Sequence, residues 1–166
     1  MENIYLIGFM GAGKSTIAGK LAEQTGARRI EMDQLIEVQQ GMAITQIFEQ
    51  YGEEYFRDLE TELLRSFVQQ KNLIVSCGGG SVLRDENADL MKEAGRIVLL
   101  TATPETIYQR VKDSTNRPIL NGNMNVEYIS GLMEKRRERY ETVADIRVAT
   151  DDKSETEICE EVLAAF

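Results

Sequence analysis

Residues 8–15, close to the start of the chain, combine glycines with a lysine and a hydroxyl side chain. They read Gly-Phe-Met-Gly-Ala-Gly-Lys-Ser and fit the pattern G-x-x-x-x-G-K-[S/T]. In such a loop the glycines let backbone N–H groups surround a polyphosphate, and the following helix N-terminus adds positive potential. Lys14 would reach the transferred phosphate, and the Ser15 hydroxyl would bind Mg²⁺. The pattern therefore predicts a nucleotide phosphate site.

The flanks of this loop agree with that interpretation. An apolar run of strand length, residues 4–7, precedes it, and a helical pattern over residues 16–24 follows it. The alternative is a chance glycine turn, which average residue usage predicts in fewer than roughly one chain of this length in a hundred. A GTPase is not favoured, because no aspartate has a glycine three residues later and no Asn-Lys pair occurs.

Two acidic residues follow the second apolar run. Asp33 could accept a proton from an attacking hydroxyl or orient it, and Glu31, on the same side of a strand, could hold a magnesium-bound water. The alternative makes Asp33 the N-cap of a helix over residues 34–40. The catalytic interpretation of Asp33 is the favoured one.

Three consecutive glycines, residues 78–80, follow the third apolar run. Glycines at this position allow a ligand to approach the backbone closely. A flexible strand-to-helix turn explains them equally well, so the residues alone leave both interpretations open.

One arginine interrupts an apolar helical stripe. The stripe has the spacing i, i+3, i+4, i+7, i+11 and consists of Ile129, Leu132, Met133, Arg136 and Tyr140. Arg136 is therefore predicted to point with the buried face, whereas Arg137 and Arg139 point elsewhere. A buried guanidinium needs an anion, which is either an internal carboxylate or the carboxylate of a ligand. The sequence does not decide between them.

Other arginines lie beside candidate site segments. Arg57 adjoins an apolar stripe and has Glu60 as a potential partner, but taken alone it is expected to be a solvated helix charge. Arg110 precedes, and Arg117 lies within, a turn-rich stretch at 112–125 that we expect to form a mobile flap. Both could fold onto phosphates or a base, and ordinary surface charge is the alternative.

Two aromatic residues and one thiol are expected to be structural. We expect Phe48 and Phe56 to lie in the core, and Cys77 to be a small buried residue rather than a nucleophile.

Five strand-sized apolar runs alternate with helical patterns, which predicts an α/β fold with a parallel sheet. They cover residues 4–7, 29–32, 73–77, 97–100 and 146–149. Helix starts are predicted at Thr103, which precedes Pro104, and at Ser154, which forms a capping box with Glu157.

Composition narrows the class of protein further. The chain has 166 residues, two cysteines, no histidine and a formal charge of −9, so we expect one domain spanning 1–166. The absence of histidine excludes Ser-His-Asp catalysis and histidine metal sites. The acidic balance argues against general nucleic-acid binding. The few cysteines, with no signal-like or membrane-spanning run, favour a reduced cytoplasmic protein that binds neither nucleic acid nor membrane.

Taken together, these segments resemble the shikimate kinases, small members of the nucleoside-monophosphate-kinase-like P-loop group. The resemblance covers nearly the whole chain. It rests on the loop at 8–16, the acidic pair ending at Asp33, Phe56-Arg57 with Glu60, the glycines 78–80, Arg117-Pro118-Ile119-Leu120, and Lys135-Arg136 with Tyr140. It implies a three-layer P-loop fold, with a five-stranded parallel sheet of order 2-3-1-4-5, helices on both faces and a mobile lid at about 112–125. It also implies that helices within about 33–70 bind shikimate, and that the γ-phosphate of ATP is transferred to the 3-hydroxyl of shikimate.

The resemblance also implies a role for each matching residue. The catalytic residues would be Asp33, Lys14 and Arg117. ATP would be bound by Gly11, Ala12, Gly13, Lys14, Ser15, Thr16, Arg110 and Arg117, with Arg110 stacked on adenine. Shikimate would be bound by Asp33, Arg57, Gly78, Gly79, Gly80 and Arg136. Mg²⁺ would be held by Ser15 and, through water, by Glu31. The family pattern after the second strand is Asp-x-Asp, so Glu31, with its longer side chain, is a departure from it.

Two rival functions remain open from the sequence. A related kinase for another small metabolite, such as gluconate, would share residues 8–15 but is not expected to present Asp33, Arg57, Gly79 and Arg136 together. A nucleotide-dependent regulator would keep the phosphate loop and transfer nothing. For a shikimate kinase the expected partners are ATP or ADP and shikimate, and the expected assembly is a monomer.

Overall fold

The computed structural model describes residues 1–112 and 125–166. The predicted lid at 112–125, including Arg117, therefore lies almost wholly outside the described residues. Five parallel strands form one sheet of order β2-β3-β1-β4-β5, as predicted. The strands are β1 (Asn3–Ile7), β2 (Arg28–Glu31), β3 (Leu73–Ser76), β4 (Gly95–Thr101) and β5 (Ile146–Ala149).

Helices cover both faces of this sheet. They are α1 (Lys14–Thr25), α2 (Met32–Gln40), α3 (Ile44–Tyr51), α4 (Glu53–Phe67), α5 (Asp85–Ala94), α6 (Pro104–Val111), α7 (Val126–Val143) and α8 (Glu155–Ala164). Helices α2, α3, α4 and α5 pack on one face, and α1, α6 and α8 pack on the other. Helix α7 contributes Ile129 to one core and Tyr140 to the opposite core, so it crosses from one face to the other.

The central strand β1 explains why the fold has three layers. Side chains alternate across a strand, and here Ile4 and Leu6 enter one core while Tyr5 and Ile7 enter the other. All four are almost completely buried. A continuous apolar run of this kind is what a parallel strand covered on both faces requires.

Both predicted helix starts are confirmed. Thr103 precedes Pro104 and accepts a hydrogen bond from the backbone N–H of Thr106 at 3.2 Å. Ser154 accepts from the backbone N–H of Glu157 at 3.1 Å, and the Glu157 carboxylate accepts from the Ser154 N–H at 3.2 Å. These caps fix where α6 and α8 begin, immediately after the loops that follow β4 and β5.

The segment after β2 differs from the prediction. Strand β2 ends at Glu31, which is the N-cap residue of α2, and Asp33 lies in the first helical turn. The prediction that Glu31 and Asp33 lie on one side of a strand was wrong, and so was the alternative of Asp33 as N-cap. The reason is that the helix begins directly after the four-residue strand, at Met32, whose side chain is completely buried.

The prediction for one aromatic residue was also wrong. Phe56 is buried as expected, but Phe48 is 40% exposed. Ile47 takes the core-facing position of α3, so the adjacent Phe48 turns towards solvent and meets Phe56 edge-on, with ring centroids 5.1 Å apart.

Cys77 is buried as predicted, and burial raises the pKa of its thiol. Across the described ranges 1–112 and 125–166, no helix has both the length and the apolarity to cross a membrane.

Candidate active site

The loop between β1 and α1 has a backbone that only glycine adopts readily. Gly8, Gly11 and Gly13 have φ angles of +146°, +82° and +104°. Space is limited as well, since a Cβ atom on Gly11 would lie 2.9 Å from a methyl group of Val111. Lys14 begins α1, and its Nζ donates a hydrogen bond to the Gly8 carbonyl oxygen at 2.5 Å. The first residue of the loop is thereby tied to the start of α1.

Ser15 and Glu31 come together at the end of β2. The Ser15 hydroxyl donates to Glu31 Oε2 at 2.8 Å, while Arg29 Nη2 lies 2.7 Å from Glu31 Oε1. Within the described residues there is no cluster of three or more acidic, cysteine or histidine side chains that could hold a metal ion. Mg²⁺ commonly uses one or two protein oxygens together with waters and substrate phosphates, so an oxygen pair beside the phosphate loop fits this ion.

A cleft of about 830 Å³ opens at the carboxyl ends of the strands, where open α/β sheets bind their ligands. It assembles most of the residues predicted for the site. Its lining includes Gly11, Gly13, Lys14, Ser15, Thr16, Glu31, Asp33, Arg57, Gly78, Gly79, Gly80, Arg110 and Arg136. Ala12 is buried beneath the loop, and Arg117 is outside the described residues.

The turn Gly78–Gly80 makes room for three charged side chains. A Cβ atom on Gly78 would lie 2.6 Å from Asp33 Oδ1, and one on Gly79 would lie 2.9 Å from Arg136 Nη1. On Gly80 it would lie 2.6 Å from both terminal nitrogens of Arg57. None of the three glycines has a positive φ. A side chain at any of the three would therefore displace one of these charged groups, although the backbone conformation itself would allow one.

Arg57 is held by carboxylates of its own helix. Its Nη1 lies 2.7 Å from Glu60 Oε1, and the two side chains are 14% and 1% exposed. Its Nε also lies 3.5 Å from Glu53. The prediction of a solvated helix charge was wrong, because α4 turns Arg57 inward against Gly80. Burial raises the pKa of Glu60 to about 7, and the Arg57 charge opposes this rise.

Arg136, from α7, lines the cleft beside Gly79. It is half-buried rather than buried, and no carboxylate of the described residues forms an ion pair with it. Its neighbour Tyr140 donates its hydroxyl to the Gly79 carbonyl at 2.6 Å. Burial raises the pKa of Tyr140, and the Arg136 charge opposes this. Of the two anions that the sequence left open for Arg136, an internal carboxylate is not found in ranges 1–112 and 125–166.

A second arginine of α7 also departs from the prediction. Arg139 was expected to point away from the buried face, but its Nε donates to the Val82 carbonyl at 2.6 Å and its Nη1 lies 2.9 Å from Asp85. It holds the segment that follows the glycine turn. The exposed Arg137 does point elsewhere.

Asp33 faces the phosphate loop from α2. The walls of the cleft raise its pKa by burying the carboxyl group, and Lys14 opposes this. Glu37 raises the pKa further. The side chain still reaches solvent through the open cleft. A carboxylate with a raised pKa is a better proton acceptor near neutral pH, which suits a general base.

Arg110 connects the phosphate loop with the loop that follows β5. Its Nη1 donates to the Gly11 carbonyl at 2.9 Å and to the Thr150 hydroxyl at 3.1 Å. Gly11 belongs to the phosphate loop, and Thr150 opens the loop after β5. The exposed guanidinium therefore lies at the edge of the cleft, next to the phosphate loop.

Sequence reasoning missed several polar residues beneath the cleft. Thr61, Ser81 and Asn87 are all buried. Asn87 shares its helix face with the buried Ala88 and Met91. A polar residue in an apolar stripe was the signal used for Arg136, and it would have found Asn87 too.

A phosphate loop, a facing carboxylate and two arginines in one cleft of a parallel α/β sheet define a P-loop kinase of a small acidic molecule. The sequence profile of the family described as "SKI: Shikimate kinase" matches residues 10–166. A shikimate kinase of Persephonella marina is 45% identical over 163 residues, covering 98% of both chains. The chain belongs to the shikimate kinase family.

Solved structures agree with this assignment. A shikimate kinase from Acinetobacter baumannii in complex with shikimate is 33% identical, with a TM-score of 0.90, covering 99% of this chain and 92% of that one. A gluconokinase from Sinorhizobium meliloti, of the rival class, is 19% identical with a TM-score of 0.60, covering 98% of this chain and 90% of the other. That second likeness shows a shared fold alone. The chain is an ATP-dependent kinase of the shikimate kinase family, so the regulator alternative is set aside.

Proposed function

We propose that the cleft transfers the γ-phosphate of ATP to the 3-hydroxyl of shikimate, with the acid end of shikimate at Arg136 and Arg57. One observation carries this assignment. The glycine turn brings Asp33, Arg136 and Arg57 to three successive residues, on the wall that faces Lys14. A small carboxylated triol matches this set, because it offers one carboxylate for the arginines and hydroxyls for Asp33.

Arg136 would bind the carboxylate directly. Within the described residues it has no carboxylate partner, so a bound acid adds a charge-assisted hydrogen bond without displacing an existing ion pair. Arg57 would bind the same group from the other side while still paired with Glu60. Gly79 and Gly80 would let the ring approach the backbone, as the resemblance implies.

Asp33 would accept the proton of the attacking hydroxyl, or orient that hydroxyl in line with the phosphate. Lys14 would stabilise charge on the transferring phosphoryl group from the opposite side. No residue need form a covalent intermediate. Positioning and electrostatic stabilisation would supply most of the rate enhancement, as in other phosphoryl transfers.

Ser15 and Glu31 would hold Mg²⁺, Ser15 directly and Glu31 through water. When bound, this ion neutralises charge on the nucleotide phosphates. Ser15 is already hydrogen-bonded to Glu31 at 2.8 Å, so the two oxygens share one side of the phosphate loop. The longer side chain of Glu31, relative to the family's aspartate, spans this distance. A Ser15→Ala variant should therefore need more Mg²⁺ for half-maximal activity than Glu31→Gln.

The amides of Gly11, Ala12, Gly13 and Thr16 would bind the phosphates of ATP. Arg110 would contact adenine, and its bonds to the phosphate loop and to Thr150 support that position. Arg117 stays a predicted lid residue that closes over the phosphates. We also propose that the protein is cytoplasmic and monomeric; light scattering in solution would test the monomeric state.

The direct test is ADP production with and without shikimate. Shikimate should stimulate turnover strongly, and gluconate should not. Phosphorus NMR of the product should place the new ester on the 3-hydroxyl. Equal stimulation by gluconate, or a product phosphorylated elsewhere, would overturn the assignment of the acceptor.

A further inference from the structure

A chain of buried hydrogen bonds runs beneath the cleft from α4 to the glycine turn. Thr61, one turn beyond Arg57 on α4, donates its hydroxyl to Asn87 Oδ1 at 2.6 Å. Asn87, on α5, is completely buried and donates its Nδ2 to the Ser81 carbonyl at 2.8 Å. Arg84 donates to the Thr61 hydroxyl at 3.2 Å, and the hydroxyl also lies 3.1 Å from the Arg57 carbonyl oxygen, a more distant acceptor than Asn87. Both functional atoms of the Asn87 amide are thus used.

The far end of this chain closes the turn itself. The Ser81 hydroxyl donates to the Gly78 carbonyl at 2.7 Å, and the Ser81 backbone N–H donates to the same oxygen at 3.0 Å. Thr61, Asn87 and Ser81 do not line the cleft, so none of them is placed to touch a substrate. Their contacts are with the segments that carry the binding groups.

The geometry at Gly80 shows why the separation of these segments matters. The Arg57 guanidinium comes from α4 and Gly80 from the turn, and the gap between them is too small for one Cβ atom. A shift of a few tenths of an ångström between α4 and the turn would change how both meet a bound acid. Buried hydrogen bonds are well suited to fix such a distance, because leaving one unmade is costly in a dry environment.

We propose that Thr61, Asn87 and Ser81 form a positioning network that sets the distance between Arg57 and the glycine turn. The network thereby controls affinity for the acid substrate and not for the nucleotide. This inference rests on the proposed function, which assigns Arg57 and the turn to shikimate. The phosphate loop is built on β1 and α1, and neither element contributes a residue to the network.

A matched pair of asparagines tests the proposal. Asn3 is also completely buried, and it bonds to the Phe67 and Gln70 carbonyls and to the Leu73 N–H. It lies at the start of β1, at the end of the sheet away from the cleft. Both Asn87→Ala and Asn3→Ala should lower the melting temperature. Only Asn87→Ala should raise the KM for shikimate, by about 5- to 50-fold, with the KM for ATP within about twofold of wild type.

A second pair of variants, at Thr61, tests the proposal even if Asn87→Ala does not fold. Thr61→Val removes the hydroxyl at nearly constant volume, and Thr61→Ser retains it. Thr61→Val should raise the KM for shikimate, and Thr61→Ser should restore it to near the wild-type value. Unchanged KM values for shikimate in Asn87→Ala and Thr61→Val, or equal losses for both substrates, would overturn the network. A wild-type enzyme without shikimate-dependent ADP formation would instead overturn the proposed function.

Discussion

Arg57 Nη1 and Glu60 Oε1 lie 2.7 Å apart on one face of α4, where the chain closes the floor of the cleft. Each residue also keeps one buried polar atom, Arg57 Nε and Glu60 Oε2, without a hydrogen bond from the described residues. The guanidinium proposed to bind shikimate is thus partly neutralised by its own helix. How much positive charge it offers depends on whether Glu60 carries a proton.

The first prediction concerns stability against pH. Burial raises the pKa of Glu60 from 4.5 to about 7, so the folded protein holds this proton where the unfolded chain has lost it. The free energy of unfolding should therefore fall as pH rises from about 4.5 to about 7, and level off above. Glu60→Gln should remove about 1 to 3 kcal/mol of that fall. Denaturant unfolding at several pH values measures it.

Asp33 needs a separate control in this experiment. The pKa of Asp33 is also raised, so this residue adds a further fall in the free energy of unfolding as pH rises. Asp33→Asn in the Glu60→Gln background should flatten the profile further. A pH profile of Glu60→Gln identical to wild type would mean that folding does not change the pKa of Glu60.

The second prediction concerns the turn glycines. Gly80→Ala places a Cβ atom 2.6 Å from the terminal nitrogens of Arg57, so the guanidinium must move. The KM for shikimate should rise at least about tenfold. Gly131→Ala is the matched control, because this exposed glycine in α7 has open space around its Cβ position. That substitution should stabilise the protein by about 0.5 to 1 kcal/mol and leave KM unchanged.

Local sequence patterns predicted the strands and two helix starts, but not the order of the strands in the sheet. Apolar runs located all five strands, and Thr103 and Ser154 marked two helix starts correctly. Strand order is not contained in any run and came from the resemblance. The start of α2 was missed because β2 is only four residues long and begins with two exposed arginines, Arg28 and Arg29, which blurs the boundary.

The sequence indicated which residues form the site, but not how buried each side chain is or what it contacts. Arg136 could be singled out because it interrupts an apolar stripe. The burial of Arg57 could not, because it depends on Gly80 and Glu60 meeting it in three dimensions. The same holds for the turn glycines, whose roles depend on side chains from α2, α4 and α7. Contacts between distant segments leave no periodic signal in the sequence.

The third prediction tests whether Arg136 binds the substrate or is only one of several charges on α7. Arg136→Ala should weaken shikimate binding by about 10- to 100-fold, the usual value for a lost charge-assisted hydrogen bond, and leave ATP binding nearly unchanged. Arg137→Ala, one residue along and exposed, removes the same charge from the same helix and should have little effect. Titration calorimetry with each substrate measures both. Equal losses for ATP and shikimate in Arg136→Ala would indicate a folding defect.

The fourth prediction concerns the catalytic role of Asp33. Asp33→Asn keeps the shape of the side chain but cannot accept the proton of the attacking hydroxyl, so kcat should fall about 10²- to 10⁴-fold. The affinity for ATP should change little, because Lys14 and the phosphate loop remain intact. Gln34→Ala, the adjacent residue of α2 that also lines the cleft, should keep most of the turnover. Full activity in Asp33→Asn would show that the carboxylate only orients the acceptor hydroxyl, a task that an amide can also perform.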